Sequence, residues 1–464
     1  VQPPTAMTFR VPNTLALLFF LMVAALIATW MIPQGAFETE LNAQGRAMVV
    51  PGSYEVVAER ELMSPLALFT AIPRAFASAG DIIFFLFIIG GVLAVIRATG
   101  TIDALLGQLL ARFGTRPALL ITAVIFVFAL ASSAIGSSGE YIPFVLILVA
   151  LCRAMRMDPM TAVAMIVCGY GVGYGVAAFN PYTVVVAQGV AELPTYSGWP
   201  VRLALLVPFV LIAVHHVWSY AERVRRDPAA SLVVDDGPVE PVAPPADYPA
   251  MQGGHVAIII GFFLALGTAV WGIATRGWYL NELGAAFLIL GLVAAAIGGL
   301  GPSVTAAKFI EGAKELTETA LLVGVARGIA LIMEDGQILH TIVHYLSLPL
   351  SLVGAELSAV GMLAIQSLLN FFIPSGSGQA FVTMPLMAPL GDLVGVSRQV
   401  SVLAYQLGDG LTNMIIPTNA ILMGILGMAG ISYAKWLKFA WPLMIKLFAF
   451  AALALIGAVW LGFQ

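Results

Sequence analysis

The chain has 464 residues, of which 60% are hydrophobic and 10% are charged, and its mean hydropathy is +0.97. Because soluble domains carry about 25% charged residues, this composition excludes a soluble protein and predicts an all-α polytopic protein embedded in a lipid bilayer. The formal net charge of −4 gives no argument for a nucleic-acid partner, and two cysteines cannot form a disulfide framework.

The first spans follow from apolar runs of about 20 residues and from arginines, which collect on the cytoplasmic side of a membrane. With a cytoplasmic N-terminus, residues 14–32 cross outward, and this run is too long for the core of a cleavable signal peptide. Residues 33–63 are polar and form an external loop, 64–78 lie in the interface, and 81–97 cross inward.

The next apolar run, 117–151, is predicted to enter the membrane and turn back as a re-entrant hairpin. Arg112 and Arg116 precede it and Arg153 and Arg156 follow it, so a single crossing would leave one basic pair outside. A reversal keeps all four arginines in the cytoplasm, and the glycines at its centre accept the backbone angles of a tight turn.

The segment 159–192 crosses outward as a broken span. Alternating glycines and the pair Asn180-Pro181 predict two half-helices with an unwound joint near 175–181, because proline costs about 3 kcal/mol or more inside a helix. Residues 199–218 return inward, and the proline-rich, acidic stretch 227–252 forms a cytoplasmic linker.

The second half repeats this organisation in the opposite orientation. A connecting span at 255–274, within 253–282, precedes it. The remaining predicted elements are the span 283–300, the interfacial helix 303–317, the span 319–334, a second hairpin 357–390 entered from outside, the broken span 399–427, and a last span 440–462 that leaves the C-terminus outside.

A shift of 239 residues places the polar residues of one half on those of the other. It carries Ser138-Gly139-Glu140 onto Ser377-Gly378-Gln379, and Asn180 onto Asn419. The total is nine transmembrane helices and two hairpins, in which the connecting span inverts the second repeat, 283–464, relative to the first, 1–226. Inverted repeats with polar, helix-breaking residues in matching places are typical of secondary transporters.

Irregular backbone at membrane depth is tolerated only inside protein or along a wet cavity, so the hairpin tips and helix breaks are the predicted site. Free amides at helix N-termini suit a carboxylate, and carbonyls and hydroxyls suit Na⁺. The candidate solute- and cation-binding residues are Ser137, Ser138, Gly139, Glu140, Asn180, Pro181, Thr183, Ser375, Gly376, Ser377, Gly378, Gln379, Asp409, Asn413, Thr418 and Asn419.

Two acids, Glu140 and Asp409, are predicted nearest the bilayer centre, where a charge costs about 2.5–3.5 kcal/mol on insertion scales. Each is a candidate cation ligand, proton carrier or partner for a substrate ammonium, and the alternative is an acid that only caps or pairs within the hairpin. Arg327 is a candidate counter-ion for Asp409, Glu318 or a carboxylate solute, with a structural pair at a helix contact as the favoured interpretation.

Metal and enzyme chemistry find little support. His340 and His344 have i, i+4 spacing but lack clear acidic or cysteine co-ligands, so a metal site there is disfavoured. No phosphate loop, zinc-ligand set or nucleophile–base pair supports a pump or an enzyme, and no cofactor is predicted beyond Na⁺ or H⁺ as a coupling ion.

Several motifs resemble the YfcC-type branch of the anaerobic C4-dicarboxylate carrier (DcuC) family, within the ion transporter superfamily. The resemblance covers nearly the whole chain and is carried by the segments Pro51-Gly52-Ser53-Tyr54, Asn180-Pro181-Tyr182-Thr183-Val184, Ala187-Gln188, Leu193-Pro194, Ser197-Gly198, Ala326-Arg327-Gly328, 373–379 and 408–418. It implies a homodimer in the bacterial inner membrane, an elevator motion between a scaffold and a mobile domain, and binding residues at the tips and breaks. The branch often has two adjacent acids at the first tip, where this chain has Gly139-Glu140.

The function predicted is secondary transport of a small carboxylate-bearing solute, coupled to Na⁺ or H⁺ or by exchange. The family name points to C4-dicarboxylates, relatives in the branch are associated with amino acids, and the acids of the proposed site favour amino acids. A Na⁺/H⁺ antiporter is the alternative, and a channel or membrane receptor without coupled transport is a third interpretation that the paired hairpins disfavour.

Overall fold

The computed structural model describes residues 14–41, 47–50, 52–57, 62–113, 116–180, 182–233, 249–276, 278 and 280–464. Within these residues the chain is predominantly helical, as its composition predicts. The α-helices of the first half are α1 Thr14–Met31, α2 Ala67–Ser78, α3 Gly80–Ala98, α4 Thr101–Phe113, α5 Pro117–Ile135, α6 Phe144–Ala154, α7 Pro159–Gly175, α8 Val184–Val190 and α9 Trp199–Arg226. Those of the second half are α10 Gly253–Arg276, α11 Leu280–Ile297, α12 Pro302–Glu315, α13 Thr317–Asp335, α14 Leu339–Ser347, α15 Ala355–Phe372, α16 Gly376–Val394, α17 Arg398–Thr412, α18 Ala420–Met428 and α19 Tyr433–Trp460.

Six of the described helices are long and apolar enough to cross a membrane: α3, α5, α9, α11, α15 and α19. A seventh span arises if α12 and α13, bent by 44° at their junction, are one unit. The helices α5 and α15 have 19 and 18 residues, about 28 Å at 1.5 Å per residue. The first helices of the two predicted hairpins are therefore as long as full spans, and the chain is a multi-pass membrane protein whose count of nine spans stays a prediction.

The helices of the two halves occur in the same order, and two helices of each half pack on a helix of the other half. In the first half α1 and α2 pack on α13, and in the second half the corresponding helices α11 and α12 pack on α3. Helix α10 has no counterpart in this scheme and packs on α11 and α4. Reciprocal packing of this kind is the pattern that two equivalent halves produce.

Both hairpin segments reverse direction at their polar centres. After α5, residues 136–143 form tip 1. The ring of Tyr141 stacks on Phe128 of α5 at 4.2 Å, and the ring of Phe144 of α6 lies 5.5 Å from the ring of Phe128. After α15, residues 373–379 form tip 2, and Nε2 of Gln366 in α15 donates to Oγ1 of Thr383 in α16 at 3.0 Å. These contacts show that the chain folds back at each polar centre, and α15 and α16 also pack on each other. That the two segments are re-entrant hairpins stays a prediction.

Two helices are interrupted near these tips. Helix α7 ends at Gly175 and α8 begins at Val184, and we call the interval 176–183 break 1; residue 181 lies outside the described residues. Helix α17 ends at Thr412 and α18 begins at Ala420, and 413–419 is break 2. The two broken helices touch at Gly175 and Gly410, where a Cβ on residue 410 would lie 2.1 Å from the backbone nitrogen of residue 175. Only glycine permits this approach, which brings the two breaks together.

The sequence predicted only an external loop after α1, and the structure adds short strands to it. It contains two short antiparallel pairs, β1 Gly35–Ala36 with β4 Glu55–Val56, and β2 Thr39–Leu41 with β3 Ala47–Val49. The helices α4 and α14 were also not predicted. The loop docks on α14, where the backbone nitrogen of Phe37 donates to Nδ1 of His340 at 3.2 Å.

Candidate functional site

Both tips and both breaks meet in one cavity of about 390 Å³. Tip 1 contributes a glycine, a serine and an acid, tip 2 contributes a polar serine–glycine run, and α3 closes one wall with Ile82. The lining residues are Ile82, Gly136, Ser138, Glu140, Tyr170, Tyr174, Tyr182, Thr183, Pro374, Ser375, Gly376, Ser377, Asn413, Asn419, Ala420 and Ile421.

Tip 1 is held by hydrogen bonds to its own backbone. Gly136 adopts a left-handed conformation (φ 75°) at the end of α5, which only glycine accepts without strain. Its carbonyl accepts the hydroxyl of Tyr174 at 2.6 Å. The backbone nitrogen of Ser138 donates to the carboxylate of Glu140 at 2.7 Å, so this acid is oriented by the turn and still faces the cavity.

Break 1 is bonded directly to the first hairpin. The side chain of Ser133 accepts the backbone nitrogen of Ala178 at 3.0 Å, and its carbonyl accepts that of Phe179 at 3.0 Å. Asn180, wholly buried, donates to the carbonyl of Ser132 at 3.4 Å and accepts the backbone nitrogen of Tyr182 at 2.8 Å. Asn180 is therefore a support of the break and does not line the cavity.

Tip 2 begins α16 and lies against break 1 and α17. Ser375 caps the helix, accepting the backbone nitrogen of Gly378 at 3.3 Å, and the hydroxyl of Tyr405 donates to the carbonyl of Gly376 at 2.6 Å. A Cβ on Gly376 would lie 2.7 Å from the methyl group of Thr183 and 3.2 Å from Oδ2 of Asp409. Glycine at 376 thus lets tip 2 rest directly on both residues.

Asp409 is wholly buried beneath tip 2 and is not part of the cavity surface. Its Oδ1 accepts Nδ2 of Asn413 at 3.2 Å, whereas its Oδ2 has no hydrogen-bond partner. A buried acid with one unsatisfied oxygen carries a desolvation cost that a bound cation or a proton would remove.

Carboxamide side chains surround this acid and tie break 2 to the second hairpin. Asn370 donates to the carbonyl of Asp409 at 2.9 Å and to Oδ1 of Asn413 at 3.1 Å, and Asn419 donates to the same Oδ1 at 2.8 Å. Asn419 also caps α18. Amides can donate and accept, so they satisfy unwound backbone without adding charge.

The carbonyls at the start of break 2 accept from aromatic side chains. Tyr170 of α7 donates to the carbonyl of Asn413 at 3.3 Å, Trp436 of α19 to that of residue 414 at 2.7 Å, and Tyr433 of α19 to that of residue 415 at 2.5 Å. The free carbonyls expected at this helix end already have protein donors.

Of the residues predicted for the site, eight line the cavity: Ser138, Glu140, Thr183, Ser375, Gly376, Ser377, Asn413 and Asn419. The other described ones do not line it. The carbonyl of Ser137 accepts Ser132, and Gly139 is packed near Leu280. Gly378 donates to Ser375, Gln379 donates to Gln366 at 2.7 Å, and Thr418 donates to the carbonyl of Phe371 at 2.9 Å. Pro181 lies outside the described residues.

Three tyrosines in the cavity wall were not predicted: Tyr170, Tyr174 and Tyr182. The i, i+4 spacing of the first two, which places them on one face of α7, could have indicated them. Arg202, in the first turn of α9, was also missed; it is wholly buried and donates to Gln406 and Gln399.

The structure pairs Arg327 with Glu334 at 3.0 Å and places its Nε 3.1 Å from the hydroxyl of Ser78. This agrees with the structural interpretation, although the partner is none of the groups suggested from the sequence. Within the described residues no group of three or more His, Cys, Asp or Glu side chains is arranged to hold a metal ion. His344 instead stacks on Tyr54 at 4.0 Å.

The chain is similar to several known proteins. The profile of the C4-dicarboxylate anaerobic carrier family matches residues 11–460. A candidate basic amino acid antiporter, YfcC, of Escherichia coli K12 is 33% identical, with 98% of each chain covered. An uncharacterized protein of Haemophilus influenzae is 27% identical over 98% of this chain and 97% of its own. The structure of the YdaH transporter of Alcanivorax borkumensis aligns with a TM-score of 0.45 and 15% identity, covering 97% of this chain and 99% of that one.

Proposed function

The chain belongs to the C4-dicarboxylate anaerobic carrier family and is thus a multi-pass membrane transporter and not an enzyme; from this premise we propose that it is a secondary transporter of amino acids, with a preference for cationic ones. The observation that carries the proposal is the cavity in which both tips and both breaks converge, with an acid on its surface and a second beneath it.

The balance of buried charge supports a cationic amino acid over a dicarboxylate. Around the cavity lie two acids, Glu140 and Asp409, and one base, Arg202, and within the described residues none of the three forms an ion pair. With all three ionised and no coupling ion bound, the site has an excess of one negative charge. A cationic amino acid brings the total to zero, whereas a dicarboxylate increases the negative charge of a poorly hydrated site.

The relative from Escherichia coli supports the same solute class. Its name assigns it basic amino acids and antiport, and the two chains match from end to end. We therefore extend the proposal to exchange, in which an outgoing and an incoming solute use the same cavity in turn.

A coupling ion is a further part of the proposal. Oδ2 of Asp409 is unsatisfied and lies beside tip 2, so a proton or Na⁺ held there would be linked to closure of this tip. The same observation favours the second candidate, a Na⁺/H⁺ antiporter that uses Asp409 without an organic solute.

The reciprocal packing of the halves supports an inverted repeat, with 1–226 and 283–464 as repeats and an elevator movement of the tips and broken helices. We propose a homodimer in the bacterial inner membrane, with the N-terminus in the cytoplasm and the C-terminus outside. The bacterial origin of both relatives supports this location.

Uptake and exchange in proteoliposomes test the proposal. Vesicles loaded with unlabelled arginine should accumulate external labelled arginine or lysine, and succinate or fumarate should not compete. Failure of a broad panel of amino acids and dicarboxylates to be accumulated or exchanged would remove the carrier assignment. Strong Na⁺-dependent proton flux without added solute would favour the antiporter.

A further inference from the structure

A wholly buried arginine lies behind break 1 without a negatively charged partner. Arg202 donates from Nη1 to Oε1 of Gln406 and from Nη2 to Oε1 of Gln399 at 3.3 Å, and its Nε has no hydrogen-bond partner. Within the part of the chain that the structure describes, no carboxylate lies within ion-pairing distance of it. Among the described residues, its acceptors are two neutral amides.

This placement is unfavourable for a residue that serves packing alone. A buried guanidinium is costly unless a negative charge compensates it. Its position in the first turn of α9 adds the positive end of a helix dipole, which also disfavours a cation. The site therefore contains an uncompensated positive charge that a bound carboxylate could balance.

The arginine also fixes the orientation of Gln406. A guanidinium only donates, so the amide of Gln406 must turn its oxygen toward Arg202. Its Nε2 consequently points to the carbonyl of Ala177 at 3.3 Å and to Oγ1 of Thr183 at 3.5 Å. Both acceptors belong to break 1.

The effect reaches the cavity through Thr183. Because Oγ1 of Thr183 faces the donating amide of Gln406, its hydroxyl proton is directed elsewhere. Thr183 is wholly buried against Gly376, so this hydroxyl would donate to a solute oxygen once tip 2 moves aside. Thr183 lines the cavity and packs its methyl group against Gly376 of tip 2. The tip 2 side thereby favours an anionic group, while Glu140 on tip 1 favours a cationic one.

We propose that Arg202 is a positioning residue that acts through Gln406 to make the Thr183 side of the cavity the binding place of the solute carboxylate, with the amino groups of the solute toward Glu140. The inference rests on the proposed function and adds to it the orientation of the solute and the residue that sets it.

The test measures preference for a carboxylate, which a purely structural role would not change. In proteoliposomes that exchange labelled L-arginine, inhibition constants are measured for L-arginine and for L-argininamide, in which a carboxamide replaces the carboxylate. Since a hydrogen bond to a charged group is worth roughly 1.5–3 kcal/mol, the wild type should prefer the acid by about ten- to a hundredfold.

The variants should separate charge from packing. In Arg202→Gln the affinity for the acid should fall to that for the amide, so the ratio approaches one. Gln406→Glu should have the same effect while Arg202 is retained, because a carboxylate neutralises the arginine and offers Thr183 only acceptors. Arg202→Lys should give an intermediate ratio. Arg398→Gln is the matched control: this half-buried arginine pairs with Glu192 and Asp392 and should leave the ratio unchanged.

The outcomes are distinguishable. An unchanged ratio in both Arg202→Gln and Gln406→Glu would show that Arg202 only supports the fold, and so would an equal loss of affinity for acid and amide. Size-exclusion profiles identify variants that do not fold. If the wild type exchanges an amino acid without preferring the carboxylate, only this inference fails. If it exchanges no solute at all, the proposed function fails with it.

Discussion

At the scale of single residues, Asp409 combines complete burial with an oxygen that the protein leaves unsatisfied. The residue sits one hydrogen bond from Asn413 and directly under Gly376, so anything bound to its Oδ2 also touches tip 2. Local chemistry at this acid would thereby be connected to the proposed movement of tip 2.

Replacing Asp409 by asparagine tests the acid without altering its shape. We expect Asp409→Asn to lower transport at least about tenfold, because the charge or exchangeable proton is lost while Oδ1 still accepts Asn413. The melting temperature should be unchanged or higher, since an uncompensated buried charge is removed. Uptake in proteoliposomes and a melting curve in detergent measure both effects. Asp392→Asn, at an exposed acid, is the control; full uptake by Asp409→Asn would exclude Asp409 from the mechanism.

Gly376 has no room for a side chain. The Cβ of Gly376→Ala would approach Thr183 to 2.7 Å and Asp409 to 3.2 Å, so tip 2 must shift and transport should fall about tenfold or more. Gly189→Ala in α8, where a Cβ meets nothing within 4 Å, should transport normally. Equal transport rates for the two alanine variants would contradict the close seating of tip 2.

The site residues that form turns and helix breaks could be predicted from the sequence. Those that reach the site through side-chain packing could not. Glycine, serine and Asn-Pro pairs mark turns and breaks by their backbone preferences, so the tips and breaks were located from sequence. Tyr174 and Tyr182 resemble ordinary packing residues in an apolar segment. Arg202 resembles an arginine at the membrane interface, because nothing in its neighbours along the chain reveals that Gln399 and Gln406 bury it.

At the scale of elements, the external loop and α14 form a contact that depends on a neutral histidine. Nδ1 of His340 accepts the backbone nitrogen of Phe37, and Tyr54 donates to Oγ1 of Thr341 at 3.0 Å. Burial lowers the pKa of His340 below its ordinary value. The folded protein thus favours the neutral imidazole, and the loop is anchored best when this ring is unprotonated.

The contact should weaken in acid. Since the folded pKa of His340 lies below the unfolded value of about 6.5, its contribution to stability is complete above that pH and is lost as the pH falls below it. His340→Asn keeps an acceptor for Phe37 but does not titrate, so its melting temperature should fall less than that of the wild type between pH 7.5 and 5.5. Tyr54→Phe should lower stability equally at both pH values. Parallel pH profiles for wild type and His340→Asn would contradict the assignment.

The length of a helix does not decide whether the helix crosses the membrane or forms one arm of a hairpin. Charge distribution predicted that 117–151 turns back. The chain folds back locally where Tyr141 stacks on Phe128, yet α5 is as long as a full span, so the re-entrant hairpin stays a prediction. Helix length follows from local propensity and burial, whereas the depth of a tip depends on packing against α7, which lies elsewhere in the sequence.

At the scale of the whole molecule, tips from the two halves share one cavity, and this arrangement can be examined with thiol probes. Cys152 and Cys168 are buried, so the unmodified protein should react little. Ser138→Cys and Ser377→Cys should each react, and a transported solute should protect both because each position lines the cavity. Ser303→Cys, on α12 and away from the cavity, should react equally with and without solute. Protection of one tip alone would contradict a shared site.

The aromatic donors at break 2 determine which helices must stay together. Two of the three carbonyls at the start of break 2, directly after α17, accept an indole and a phenol from α19, so the unwound peptide needs no hydration shell. A rigid-body displacement of α17 must carry α19 with it, since separation would strand these carbonyls in hydrocarbon. In the proposed elevator movement, the contacts of α18 with α13 and α3 would slide, and the last helix of the chain would move together with the solute.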